Sequence, residues 1–156
     1  NTEFDGDLSN LDVSNVTNMH NAFSGSPFAK VKCTLKGVEK WDVSNVEVFW
    51  DFVSYNVALT DLTPLKDWDV SSCESFPSMF NSCEALLSAK AIEGWNTKSA
   101  DDMAYMFQGC RGMTEVSDFS EWCVPVVNRT DGFNTFCEDK VIEPIWGTCP
   151  RGENRP

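Results

Sequence analysis

Residues 41–46 read WDVSNV, residues 68–73 WDVSSC and residues 95–100 WNTKSA, one phrase returning every 27 residues, and Trp122 follows at the same interval. A period between 20 and 50 residues marks stacked units whose core is shared between neighbours. The register extends both ways: LDVSNVTNM from Leu11 is a further copy, WCVPVVNRT from Trp122 a degraded one, and FDGDLSN at 4–10 resembles the end of a preceding unit. Five units result, starting at 11, 41, 68, 95 and 122. Leu11 to Trp41 spans 30 residues, which places an insertion in or near Phe28 to Lys36. The chain divides on this reading into an N-terminal partial repeat at 1–10, a repeat body at 11–137, and a C-terminal cap and tail at 138–156.

Within a unit the apolar residues fall at steps of three and four, as in Cys73, Phe76, Met79, Phe80, Cys83 and Leu86, which is the stripe of a helix buried on one side. Ser44 with Glu47 and Ser71 with Glu74 have capping-box spacing, Ser14 with Thr17 is a weaker version, and Lys98 shifts the fourth start to Thr97 or Ser99. A second spacing follows, Leu59, Leu62 and Leu65 and then Leu86, Ala89 and Ile92, with threonine, serine and proline between; it reads as one short extended rung. The expected fold is an α/β repeat solenoid, leucine-rich-repeat-like, with one helix and one short parallel strand per 27-residue unit.

The phrase WDVSNV, followed by an apolar stripe, MF and a cysteine, as in WDVSSCESFPSMFNSC and WNTKSADDMAYMFQGC, resembles the repeat of the BspA-like leucine-rich repeat surface proteins over roughly Leu8 to Cys137. The last unit departs from it by losing WD and MF, and Phe52-Val53 stands where MF is expected in the second. The resemblance implies a cell-surface or secreted protein engaged in adhesion or binding.

A chain of 156 residues with 42% hydrophobic content makes one domain with a core. No apolar run approaches the ~20 residues of a spanning helix, and a chain beginning NTEF reads as a processed form or a fragment. Twelve basic residues against twenty-four acidic ones give a net charge of −12, which argues against nucleic acid as a partner. His20, the single histidine, falls on the exposed side of the first unit without a cysteine or carboxylate at ligand spacing. No Ser-His-Asp constellation or glycine-rich phosphate loop emerges, so neither an enzyme nor a cofactor is expected.

Register sorts the seven cysteines. Cys83, Cys110 and Cys137 each lie fifteen residues after a tryptophan, which predicts a ladder of buried thiols acting as small apolar residues rather than metal ligands. Cys149 occupies the slot of a sixth tryptophan and Cys123 lies one residue past that slot in the unit before, so adjacent rungs bring them within disulfide reach. Cys33 and Cys73 have no partner that register selects. An oxidising compartment fits such a bridge, as do the sequons at Asn15 and Asn128, although each asparagine also stands where its side chain can turn the backbone.

Asp12, Asp42, Asp69 and Asn96 form a column in which bonding to turn N–H groups outweighs a calcium ladder. Packing beside the core likewise outweighs a sugar-stacking strip for Trp41, Trp68, Trp95 and Trp122. Trp50, outside that column, is the better exposed contact. Residues between the strand leucines should point outward, giving a candidate interaction face of Thr60, Asp61, Thr63, Glu115, Ser117 and Asp118 together with Trp50. The expected function is a non-enzymatic module binding another protein or a glycan, extracellular or on a cell surface. The competing reading, prompted by the polar tail RGENRP, is an accessory subunit of a larger, membrane-bound assembly in an organelle lumen, not itself transmembrane.

Overall fold

The computed structural model describes residues 2–152. Among the described residues four short strands pair in two parallel two-stranded sheets: β1 (Thr2–Phe4) with β2 (Val31–Cys33), and β3 (Ser117–Asp118) with β4 (Val141–Ile142). Single 3-10 turns occupy Val38–Lys40, Thr63–Leu65 and Lys90–Ile92. Among the described residues there is no α-helix, so the chain is not the helix-plus-strand repeat solenoid that its spacing predicts. The segment Leu59 to Leu65, expected as a strand, instead makes one bridge, Asp61 to Ser88, before entering a 3-10 turn.

The repeat nevertheless governs the backbone. In the second copy the N–H groups of Phe49, Asp51, Val53 and Tyr55 donate to the carbonyls of Ser75, Pro77, Met79 and Asn81 in the third. Phe76, Ser78, Phe80 and Ser82 donate in the same way to Asp102, Ala104, Met106 and Gln108, and Met103, Tyr105, Phe107 and Gly109 to Arg129, Asp131, Phe133 and Thr135. The first copy joins through Met19, Asn21, Phe23 and Gly25. An N–H committed to the next copy cannot also close an i→i−4 bond, and a helix is thereby excluded.

Left-handed residues complete the exclusion. Ten residues past the start of each later copy stand Asp51, Ser78, Tyr105 and Gly132, with φ between 52° and 61°, and Asn21 holds the matching place in the first at 58°. Fourteen residues past stand Tyr55, Ser82, Gly109 and Phe136, again with positive φ. Each such residue reverses the chain, so the amides between them close i→i−3 turns, as Phe52 to Phe49 and Asn56 to Val53 do. Four-residue turns bring a side chain inward every three or four residues, which is how they imitate a helical stripe.

The inward side chains form one core running through every copy, with Phe49, Phe52, Phe76, Phe80, Phe107, Phe119 and Phe133 fully buried. Trp41, Trp68, Trp95 and Trp122 are buried, and their indole N–H groups donate at 2.9–3.0 Å to the carbonyls of Leu8, Val38, Leu65 and Glu93, which close the unit before the preceding one. The column is therefore a set of core braces.

The expected capping boxes are absent for the same reason. Glu47 and Glu74 donate their N–H groups to Thr17 and Glu47 of the preceding copies, while Ser44 and Ser71 hydroxyls bond Asp42 and Asp69 at 2.6 Å. Of the tail RGENRP, residues 153–156 lie outside the described residues, and so does the argument for an assembly subunit that its order prompts.

Candidate functional site

Two columns of the repeat fix local chemistry. In the first, Oδ1 of Asp12, Asp42 and Asp69 accepts both the N–H and the hydroxyl of Ser14, Ser44 and Ser71, and Asn96 accepts the N–H of Lys98. The serine hydroxyls, then the serine N–H groups, hold the Asp12 and Asp42 carboxyls below the ordinary aspartate range. These are turn locks, and among the described residues no group of three or more acidic, histidine or cysteine side chains is placed to hold a metal.

In the second column the thiols of Cys83, Cys110 and Cys137 donate to the carbonyls of Val53, Phe80 and Phe107 at 3.1–3.3 Å. Sequence reading missed that Asn56 holds this slot in the second copy, fifteen residues after Trp41. Its buried amide donates to the Cys33 carbonyl at 2.7 Å and accepts the Cys33 N–H at 3.3 Å. The signal was available, because an amide aligned with thiols marks a slot that bonds backbone.

Burial pushes the thiols of Cys73, Cys83 and Cys137 up to about 12 and Cys110 well above its ordinary value. Cys123 and Cys149 are joined in a disulfide, and Cys33, Cys73, Cys83, Cys110 and Cys137 are free and buried. A raised pKa keeps a thiol protonated until pH approaches that value, and the protonated form does not alkylate. In the native protein at pH 8 we expect no labelling by iodoacetamide over minutes. In denaturant without reductant five cysteines should label, and seven after reduction, as read by intact mass. Seven labels without reductant would exclude the bridge.

The expected interaction face is split by the structure. Asp61, Thr63 and Glu115 lie together in an open groove of about 820 Å³. It is built by register: Asp61, Ser88 and Glu115 are equivalent in three successive copies, as are Thr63 and Lys90, and Lys66 and Glu93, in two. Lys90 pairs with Glu115 at 3.1 Å, and Asp61 accepts the N–H of Thr63 at 2.8 Å. Thr60 is exposed beside this groove in sequence but does not line it. Asp118 belongs to a neighbouring hollow of about 320 Å³ that shares Glu93 and Gly94 and adds Glu121 and Arg151.

Ser117 does not point outward. It is fully buried because β3 pairs with β4, and its hydroxyl accepts the N–H of Ala89 at 2.9 Å. Trp50 is 47% exposed and lines a separate cleft with Tyr105, sharing no residue with the groove. Asn15 and Asn128 are exposed. No helix among the described residues is long and apolar enough to cross a membrane.

A family model described as "Mycoplasma protein of unknown function, DUF285" matches residues 1–56 and residues 25–140. No curated protein and no solved structure matches the chain.

Proposed function

The chain belongs to the DUF285 family, and we propose that it is a non-enzymatic interaction module, displayed outside the cell or on its surface, that binds another protein along the groove of Asp61, Lys90 and Glu115. The likeness of its WDVSNV phrase to BspA-like surface proteins supports the location, as does the bridge between Cys123 and Cys149. One observation carries the binding role: equivalent positions of successive copies converge in an open groove with different side chains on each rung, acidic at Asp61, Glu93 and Glu115 and basic at Lys66 and Lys90. A surface that only kept the protein soluble has no use for such a concave pattern, whereas an extended segment of a partner reads it residue by residue.

The test is crosslinking in the native source followed by mass spectrometry, using the protein as it stands and a variant carrying Asp61→Lys and Glu115→Lys. A discrete, stoichiometric partner crosslinked at Lys66 or Lys90, and lost with the variant, is the expected result. Recovery of the protein alone, or a partner retained equally by the variant, would remove the groove from the argument.

A further inference from the structure

We propose that the cleft between Trp50 and Tyr105 binds a neutral sugar ring of an oligosaccharide. It is a second site, independent of the protein-binding groove, with which it shares no residue.

The cleft, about 360 Å³, is assembled from four copies. Trp50 stands one residue past the buried Phe49 and one before the left-handed Asp51, a placement that turns its indole out of the core. His20, from the copy before, stacks on it with ring centroids 4.6 Å apart and planes within 9°. One indole face is thus covered and held, and the tryptophan lines the cleft with what remains. Trp50 and Tyr105 stand on copies two rungs from each other. Pro77 and Ser78 of the rung between line the cleft with them, and its volume of about 360 Å³ has room for a single sugar ring.

Tyr105 carries the second line of argument. Its column holds Asn21, Asp51, Ser78 and Gly132, residues that tolerate or suit a left-handed backbone, yet here a bulky aromatic is kept at φ 60° and is 38% exposed. Its ring lies on Gly132, where an added Cβ would come within 2.6 Å of Cδ1 of Tyr105. Seated on a glycine and turned to solvent, the Tyr105 ring is held at the wall of the cleft.

The polar wall selects the ligand. Arg129 donates to Oδ2 of Asp102 at 2.8 Å, while Oδ1 of Asp102 accepts the N–H of Ala104 at 3.0 Å. Asp102 is nearly buried, and the Arg129 side chain is 58% exposed with further N–H donors free in direction. This pair is net neutral and offers donors and acceptors side by side, matching hydroxyls that both give and accept hydrogen bonds. The aromatic faces match the C–H faces of the same ring. A net charge of −12 repels anionic glycans, which leaves the neutral ones.

The probe is a panel of neutral hexose oligosaccharides, three to six units long, at about 5 mM, above the ~1 mM dissociation constant of weak binding. The protein is made in bacteria so that neither Asn15 nor Asn128 carries sugar, and binding is read by saturation-transfer NMR and by tryptophan fluorescence. At least one panel member should bind, and Trp50→Ala and Tyr105→Ser should each weaken it tenfold or more. Both substitutions copy residues that the same columns already hold, Ala104 and Ser78, so the melting temperature should stay within a few degrees. Asp61→Lys with Glu115→Lys, in the groove, should leave sugar binding unchanged. The proposal is overturned if no member binds, if both cleft variants bind as tightly as the parent, or if binding disappears in 0.5 M salt as an ionic contact would.

Discussion

Trp95→Ala is expected to cost about 4 kcal/mol of stability. Trp95 is buried in the fourth copy, its ring centroid 6.1 Å from that of Phe76 and its N–H donating to the Leu65 carbonyl at 3.0 Å. Removing it leaves a cavity that the ladder on either side cannot collapse, and it takes from the Leu65 carbonyl one of two donors, the Trp68 N–H at 3.2 Å remaining, a loss of about 0.5–1.5 kcal/mol. Trp95→Phe should separate the two terms by keeping most of the volume and losing only the bond, at about 0.5–1.5 kcal/mol. Urea denaturation followed by fluorescence measures both; equal losses for the two variants would mean that the hydrogen bond, not the packing, fixes the column.

The second large effect comes from one methyl group. At Gly112 an added Cβ would stand 2.2 Å from the backbone oxygen of Glu84 and 3.3 Å from that of Leu86, both in the preceding copy. Neither is the flexible end of a side chain, so the copies must separate locally. Gly112→Ala should destabilise by about 2–3 kcal/mol, the upper part of the ~1–3 kcal/mol range for overpacking. Gly94→Ala is the control, since a Cβ there meets nothing within 4 Å, and it should change stability by no more than about 0.5 kcal/mol. A melting temperature for Gly112→Ala equal to that of Gly94→Ala would show that the rungs have slack where the structure has none.

The period, the inward tryptophans and the thiol column are legible because each depends on register, and register is what a repeated phrase encodes. The helix is not. Steps of three and four between Phe76, Met79, Phe80 and Cys83 are common to a helix and to consecutive four-residue turns. What decides between them is the sign of φ at two positions per copy. Asn21, Asp51, Ser78 and Gly132 supply the signal in one column, but Tyr105 interrupts it, and Tyr55 and Phe136 hide the other. Ser44 and Ser71 add a false helix start, because a serine that locks an aspartate turn has the spacing of one that caps a helix.

The site divides on the same line. Asp61, Thr63 and Glu115 come together because equivalent rungs align, whereas Ser117 escapes the outward pattern once β3 finds a partner in β4. Trp50 is legible as exposed, but its company is not. Its neighbours Tyr105, Asp102 and Arg129 lie up to 79 residues away in sequence and meet it only through the ladder.

That ladder runs in one direction. From Met19 to Gly109 the amides at alternate positions point toward the later copy and the carbonyls before them toward the earlier one. Each peptide unit is a dipole of ~3.5 D, and in an ordinary sheet such dipoles largely cancel. Here the four ladder amides of each copy add head to tail along the stack, opposed on the adjoining turn, where Glu47, Glu74, Asp101 and Asn128 donate back to the copy before. The turn ladder is therefore electrically polar along the stack, its positive end toward the fifth copy and its negative end toward the first.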